Sequence, residues 1–261
     1  MDNGMDHEMD QSNCLAIVTG TSSGVGLAAA SALLSEGWSV TGLSRREAAL
    51  DSPRYQHLAW DLGDTEGLEN FADEHLAPLL GDPKWERVGL VNNAAFLGSL
   101  REVSSLKPEQ LSRIFAINTV APIWLMGLTI RAVPAQTELR IANISSGAAV
   151  QGIAGLADYC ASKAALRLAG MALGAELDQG AAAGRDSGLT RILSYEPGVV
   201  DTGMQDAARA TDPAEFPSHD IFQGFAKRGD LQSPAAVVGE IVDFLSASGG
   251  ETFSERRFGV T

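Results

Sequence analysis

Short uninterrupted apolar runs alternate along the chain with longer stretches whose apolar residues recur at helical spacing. Cys14 to Thr19, Trp38 to Leu43, Tyr55 to Ala59, Val88 to Val91, Leu139 to Ile144 and Leu189 to Tyr195 are each too short for a helix and read as strands buried on both faces. Thr252 to Val260 is more polar and reads as an edge strand. Between them, Ala- and Leu-rich segments predict helices ending near Ser35, over Pro108 to Arg131, over Ala157 to Leu177, and from Ser233-Pro234 to about Ser246, the last with serine as cap and proline in its first turn. Strand and helix in alternation predict an α/β fold: a doubly wound, mainly parallel seven-stranded sheet with helices on both faces, in a single domain over residues 14–261. Residues 1–13 are acidic and aperiodic and read as a disordered tail, 178–188 as a flexible loop, and 203–230, with Pro213, Pro217 and Gly224, as a lid over substrate. His219 and Asp220 in that lid are read as surface residues rather than a catalytic pair.

Composition narrows the function classes. With 261 residues, 45% of them hydrophobic and 20% charged, the chain has the makings of one large folded domain. A formal net charge of -14 and the lack of any long basic patch exclude nucleic acid as a partner. No Lys or Arg precedes Arg45, so the charged start of a secretory signal is missing and a cytoplasmic protein is expected. Residues 15–34 are uncharged and long enough to imitate a membrane span, but Thr19 to Gly24 and Gly26 interrupt them, and strand, loop and helix explain the run without a membrane. Two cysteines, Cys14 and Cys160, make neither a disulfide framework nor a metal site; no metal is expected, and Cys160 is read as a helix residue pointing away from Tyr159.

The candidate chemistry gathers where the strands end. After the first strand, Gly20-Thr21-Ser22-Ser23-Gly24-Val25-Gly26 opens a helix; glycines let the backbone approach a ligand, and the helix start offers free N–H groups to a phosphate. After the second, where a carboxylate would hold the ribose hydroxyls of NAD, stand Ser44-Arg45-Arg46, whose guanidinium groups suit the 2′-phosphate of NADP(H). Asp61-Leu62 follow the third strand, Asp61 either bonding an adenine amino group or capping the next helix. Asn92-Asn93-Ala94-Ala95 follow the fourth and let the chain pass close to a nucleotide, while Asn118 is a lone amide on an apolar helix. Ser146 follows the fifth strand, and Tyr159 and Lys163, four apart, share one helical face; the ammonium is expected to favour the phenolate and bring the phenol towards use as an acid or base. Glu196-Pro197-Gly198-Val199-Val200-Asp201-Thr202 after the sixth strand turns back to the cofactor, with no catalytic role for Glu196.

In this order, over about residues 14–260, these motifs resemble the short-chain dehydrogenase/reductases of Rossmann-type fold. The resemblance implies Tyr159 as general acid to a carbonyl oxygen, Ser146 orienting that oxygen, Lys163 binding the nicotinamide ribose and lowering the tyrosine pKa, and Asn118 holding a helix irregularity and a relay water. It also implies cofactor contacts from Gly20 to Gly26, Ser44 to Arg46, Asp61, Leu62, Asn93, Ala94, Tyr159, Lys163, Pro197, Gly198, Val200 and Thr202, and a homodimer or homotetramer formed through the Asn118 and Tyr159 helices. Ala95 departs from the family's usual glycine and should narrow that passage. The run Pro197 to Gln205, with Gly229 to Pro234 and Phe253 to Phe258, is similar to sepiapterin reductases and microbial benzil reductases. No carboxylate follows Glu255 to anchor a pterin, which favours a bulky or aromatic ketone or diketone as substrate. A pterin reductase, an NAD-dependent alcohol dehydrogenase and a non-catalytic NADP sensor stay open as alternatives.

Overall fold

In the computed structural model, which describes residues 13–180 and 187–260, each apolar run forms a strand. They are β1 (Cys14–Thr19), β2 (Ser39–Ser44), β3 (Tyr55–Ala59), β4 (Arg87–Asn92), β5 (Glu138–Ile144), β6 (Thr190–Glu196) and β7 (Phe253–Arg257). The sheet order is β3-β2-β1-β4-β5-β6-β7, and every pairing is parallel, so the mainly parallel sheet expected is parallel throughout. Alternate residues of one strand feed opposite cores: Leu15 and Ile17 pack with Phe71, Leu125 and Leu166, whereas Ala16 and Val18 pack with Ala29, Leu33 and Phe244. Burial of both faces is why the strand sequences are apolar without alternation. The readings of residues 1–12 as a disordered tail and of 181–186 as a flexible loop lie outside the described residues.

Helix α1 (Gly24–Ser35) follows β1, and α2 (Leu68–His75) and α3 (Ala77–Leu80) lead to β4. The helix expected over Pro108 to Arg131 is instead α4 (Pro108–Phe115), a π turn (Ala116–Val120) and α5 (Ala121–Ala132). Ala121 donates to the Ala116 carbonyl, five residues back, and Pro122 has no N–H with which to restore the four-residue ladder at Asn118. Together these helices are long and apolar enough to cross a membrane, but Ile114, Leu125, Met126 and Leu128 are core residues. Helix α6 (Ala157–Asp178) carries Tyr159 and Lys163.

The segment read as a lid forms two helices, α7 (Gly203–Ala210) and α8 (His219–Arg228), packed over a third apolar cluster with Phe216 and Phe222 buried inside. His219 departs from the surface reading. Its side chain is 13% exposed, with Nε2 3.2 Å from the Arg209 carbonyl, so it ties the two lid helices together while Asp220 stays fully exposed. The last helix is also divided, into α9 (Pro234–Val237), capped by the Ser233 hydroxyl as expected, and α10 (Gly239–Ser246). Glycine at the junction is a poor helix former.

At the opposite edge of the sheet from the strand ends just described, Glu138 joins two buried arginines. Arg87 donates to it through Nε at 2.9 Å, and Arg140 through Nε at 2.8 Å. Arg87 Nη2 also donates to Glu138, while Arg87 Nη1 and the two Arg140 Nη nitrogens bond the Leu245, Phe244 and Gly249 carbonyls, so one carboxylate and the C-terminal end of α10 together offset two cations.

Candidate active site

Parallel strands deliver their C-terminal ends to one edge, and the order β2-β1-β4 reverses the winding between β1 and β4, which leaves a crevice there. The Gly-rich turn lies in it. Gly20 and Gly24 have φ of +76° and +60°, and a Cβ on Gly26 would collide with the Gly20 carbonyl and the Asn93 amide, so α1 can press against the turn only as glycine. Ser23 caps α1 with no side-chain bond, leaving the helix's first N–H groups facing the crevice. That cradle fits the pyrophosphate of a dinucleotide.

Thr19, which opens the glycine motif and was given no role of its own in the sequence, braces the turn: its Oγ1 accepts from the Asn93 and Ala94 N–H groups at 2.9 Å each, and the Asn93 amide donates to the Thr19 carbonyl at 2.9 Å. Thr21 is buried and does not face the cavity; its hydroxyl lies 3.3 Å from that of Ser44 and 3.2 Å from that of Tyr55, fixing the end of β2. Beyond Ser44, Arg45 and Arg46 are exposed at the cavity rim. Asp61 is not a helix cap, because α2 starts only at Leu68. Its Oδ1 accepts from Gly63 N–H at 2.9 Å, and its Oδ2 lies 4.0 Å from Arg45 and 3.6 Å from Arg113, a cavity residue that the sequence alone did not single out.

One cavity of about 690 Å³ runs from this cradle to the lid. Of the residues predicted to bind or react, Gly20, Ser22 to Val25, Ser44 to Arg46, Asp61, Leu62, Asn93, Ala94, Ser146, Tyr159, Lys163, Pro197, Gly198, Val200 and Thr202 line it; Thr21, Gly26 and Asn118 stand behind its wall. Asn118 is fully buried and its amide fully engaged: Oδ1 accepts from Phe96 N–H at 2.8 Å, while Nδ2 donates to the Phe96 carbonyl at 2.8 Å and to Ser162 Oγ at 3.0 Å. This side chain holds the π turn against α6 rather than facing the cavity.

Ser146 ends the β5 turn, its Oγ accepting from Ala148 N–H at 3.2 Å. Ser146 and Tyr159 both line the cavity, and Ser146 lies near enough to the phenol to favour its ionised form. The buried Asp158 carboxylate sets the first turn of α6, accepting from Tyr159 N–H at 2.8 Å and Ser99 N–H at 3.1 Å. Lys163 donates to the Ile144 carbonyl at 2.7 Å, and its Nζ is 5.9 Å from the centroid of the Tyr159 ring.

The expected lowering of the tyrosine pKa is not seen in this arrangement. Burial pushes Tyr159 up to about 12, against the opposing pull of Ser146, and burial likewise brings Lys163 down to about 8. Desolvation is the largest cause for both groups because both are enclosed. Cys160 does not turn fully away either: it packs against the cluster that contains Tyr159.

Past the tyrosine, the cavity wall becomes apolar, with Leu97, Ile153, Leu156, Met204, Phe222 and Phe225. These come from the β4 loop, the β5 loop and the lid, so their convergence has no signature in sequence spacing. Glu196 and Arg257 also line the cavity. Among the described residues no group of His, Cys, Asp or Glu could hold a metal ion.

A glycine cradle at the β1/β4 switch point and a serine, a buried tyrosine and a buried lysine in one cavity define a nucleotide-dependent α/β oxidoreductase. The chain belongs to the short chain dehydrogenase family, whose profile matches residues 14–213. It is 29% identical over 233 residues to a benzil reductase ((S)-benzoin forming) of Bacillus subtilis (strain 168), covering 88% of this chain and 93% of that protein. It is 33% identical over 215 residues to the sepiapterin reductase of Bos taurus, covering 76% of each chain. Among solved structures, the KRED1-Pglu enzyme superposes with a TM-score of 0.77 at 24% identity, over 92% of this chain and 99% of that one.

Proposed function

We propose that this chain is an NADPH-dependent carbonyl reductase acting on a bulky or aromatic ketone or diketone, with Tyr159 as general acid. The observation that carries the reading is that Ser146, Tyr159 and Lys163 line one cavity together with a phosphate cradle and an apolar wall. When bound, the nicotinamide supplies the hydride. Ser146 Oγ holds the carbonyl oxygen, and the Tyr159 O–H, kept protonated by its burial, gives that oxygen its proton. Lys163 faces the same cavity and holds a ribose hydroxyl, and Asn118 fixes α6 through Ser162. Arg45 and Arg46 take the 2′-phosphate. The apolar lid pocket excludes water and accepts an aryl group.

A panel of carbonyl compounds with NADPH and with NADH, followed at the nicotinamide absorbance, tests the reading: aromatic diketones with NADPH should be the fastest pair. A pterin reduced faster than any diketone would replace the substrate class, and equal rates with NADH would remove the cofactor preference. Val120, Ile123, Leu168 and Met171 are exposed apolar residues of the π turn, α5 and α6, and they support a homodimer or homotetramer through those helices, to be read by light scattering. Two free cysteines, Cys14 and Cys160, fit a reducing cytoplasmic setting.

A further inference from the structure

Beside the apolar wall, the cavity lining carries Gln151, Gln205 and one cation with little to do in the protein itself. Glu196, the last residue of β6, stands opposite Arg257, the last residue of β7. Its carboxylate lies against the turn after Ser146: a Cβ on Gly147 would be 3.0 Å from Glu196 Oε1. Arg257 Nε is 3.4 Å from that same oxygen, so the guanidinium sits one carboxylate away from the residue beside Ser146. The Arg257 side chain is 64% exposed, and among the described residues this loose ion pair is its one polar contact. An exposed pair of that kind is weak and gives way readily to a better acceptor.

A second basin, of about 810 Å³, meets the first at this point. The two share Ser145, Ser146, Glu196 and Arg257, so Ser146 stands at a junction with room on both sides. A carbonyl held by Ser146 and Tyr159 therefore has an apolar wall on one flank and a guanidinium on the other. The remaining cavity arginines, Arg45, Arg46 and Arg113, gather at the distant Asp61 end.

Resting on the carbonyl reductase reading above, we propose that Arg257 is a specificity-determining residue that selects 1,2-dicarbonyl substrates. The oxygen of the second carbonyl, on the carbon next to the one being reduced, accepts from the guanidinium, which moves from Glu196 to do so. A guanidinium with several donors can turn one of them to that oxygen, and a bond from a charged donor is among the stronger hydrogen bonds. A monoketone of the same shape offers Arg257 nothing. The contact concerns binding and discrimination, and the proton and hydride follow the route already given.

The test compares benzil with its monoketone analogue deoxybenzoin in the wild type, Arg257→Gln and Arg257→Lys. The wild type should favour benzil in kcat/KM. Arg257→Gln should lower the benzil-to-deoxybenzoin ratio at least about tenfold, with Arg257→Lys, which keeps the charge and loses the fork, in between. Calorimetry on the NADP⁺ complex should show the same loss in the benzil dissociation constant. An unchanged ratio in Arg257→Gln would overturn the proposal, as would equal losses on both ketones, which would make Arg257 a support of β7. If the wild type reduces neither ketone, the reductase reading falls, and calorimetry then decides Arg257 separately: tighter binding of benzil that Arg257→Gln abolishes upholds it, and equal binding of the two ketones ends it.

Discussion

Lys163 donates to the Ile144 carbonyl at 2.7 Å while its ammonium lies 5.9 Å from the Tyr159 ring centroid, so the cation is anchored to the end of β5 and only flanks the phenol. The strand that presents Ser146 and the helix that presents Tyr159 are thereby locked in register. Enclosure of both groups makes the phenol a proton donor at neutral pH and makes the ammonium costly.

That cost is measurable. Lys163 is held at about 8 against 10.5 for the free group, a difference on the order of 3 kcal/mol. Between about 8 and 10.5 the unfolded chain binds the proton that the native state has lost, so this group's contribution to stability rises with pH across that window. Below it the full cost is present. Lys163→Met, which removes the buried charge at the expense of one hydrogen bond, should keep or raise the melting temperature at pH 7 while kcat/KM falls at least about a hundredfold. Calorimetric melts at pH 7 and 10 check both parts: the gain should shrink at the higher pH.

Tyr159→Phe keeps the ring in place and removes the proton. Turnover should fall by about 10²–10⁴ while the NADPH dissociation constant, read by fluorescence, stays within about twofold. In the wild type, kcat/KM should decline as pH rises through about 8, where Lys163 loses its charge, rather than through the normal tyrosine range.

Replacing Arg45 and Arg46 together by Ala should weaken NADPH at least about tenfold more than NADH, since a 2′-phosphate loses two cations and a ribose hydroxyl loses little. Isothermal titration with each nucleotide measures it, and equal losses would refute the phosphate assignment.

Asn118→Ala strips the Phe96 N–H and carbonyl of their partner inside the fold and leaves the Ser162 hydroxyl only its bond to the Tyr159 carbonyl. Each orphaned buried group costs about 1–3 kcal/mol, so urea unfolding should show a clear loss of stability. Activity should drop with it, because the π turn sets α6.

Glu138→Gln leaves Arg87 and Arg140 buried without their carboxylate, at 0% and 2% exposure. Breaking a buried pair in this way costs about 3–5 kcal/mol. A lowered melting temperature with a near-normal NADPH dissociation constant is the expected signature, since the cluster lies at the far edge of the sheet from the cavity.

Much of this protein was legible in one dimension. Strands buried on both faces write themselves as unbroken apolar runs, and β1, β3 and the start of α6 fall where the pattern puts them. The glycine turn was equally plain, since only glycine tolerates the φ of Gly20 and Gly24 and the contact at Gly26. Other features were not written locally. The π turn has one local mark, Pro122, but it is held by Asn118 reaching Phe96 and Ser162, far from it in sequence. The lid's two helices depend on Phe216 and Phe222 finding a cover, and His219 turned inward to join them.

The sequence by itself determined the order of strands and helices, the nucleotide cradle and the identity of the reactive side chains, because each rests on short-range spacing and on backbone freedom at single residues. Tertiary structure alone decided the protonation of Tyr159 and Lys163, the lid's apolar pocket and the placing of Arg257 beside Ser146. Those depend on which distant surfaces exclude water from a group, and burial is a property of the folded whole.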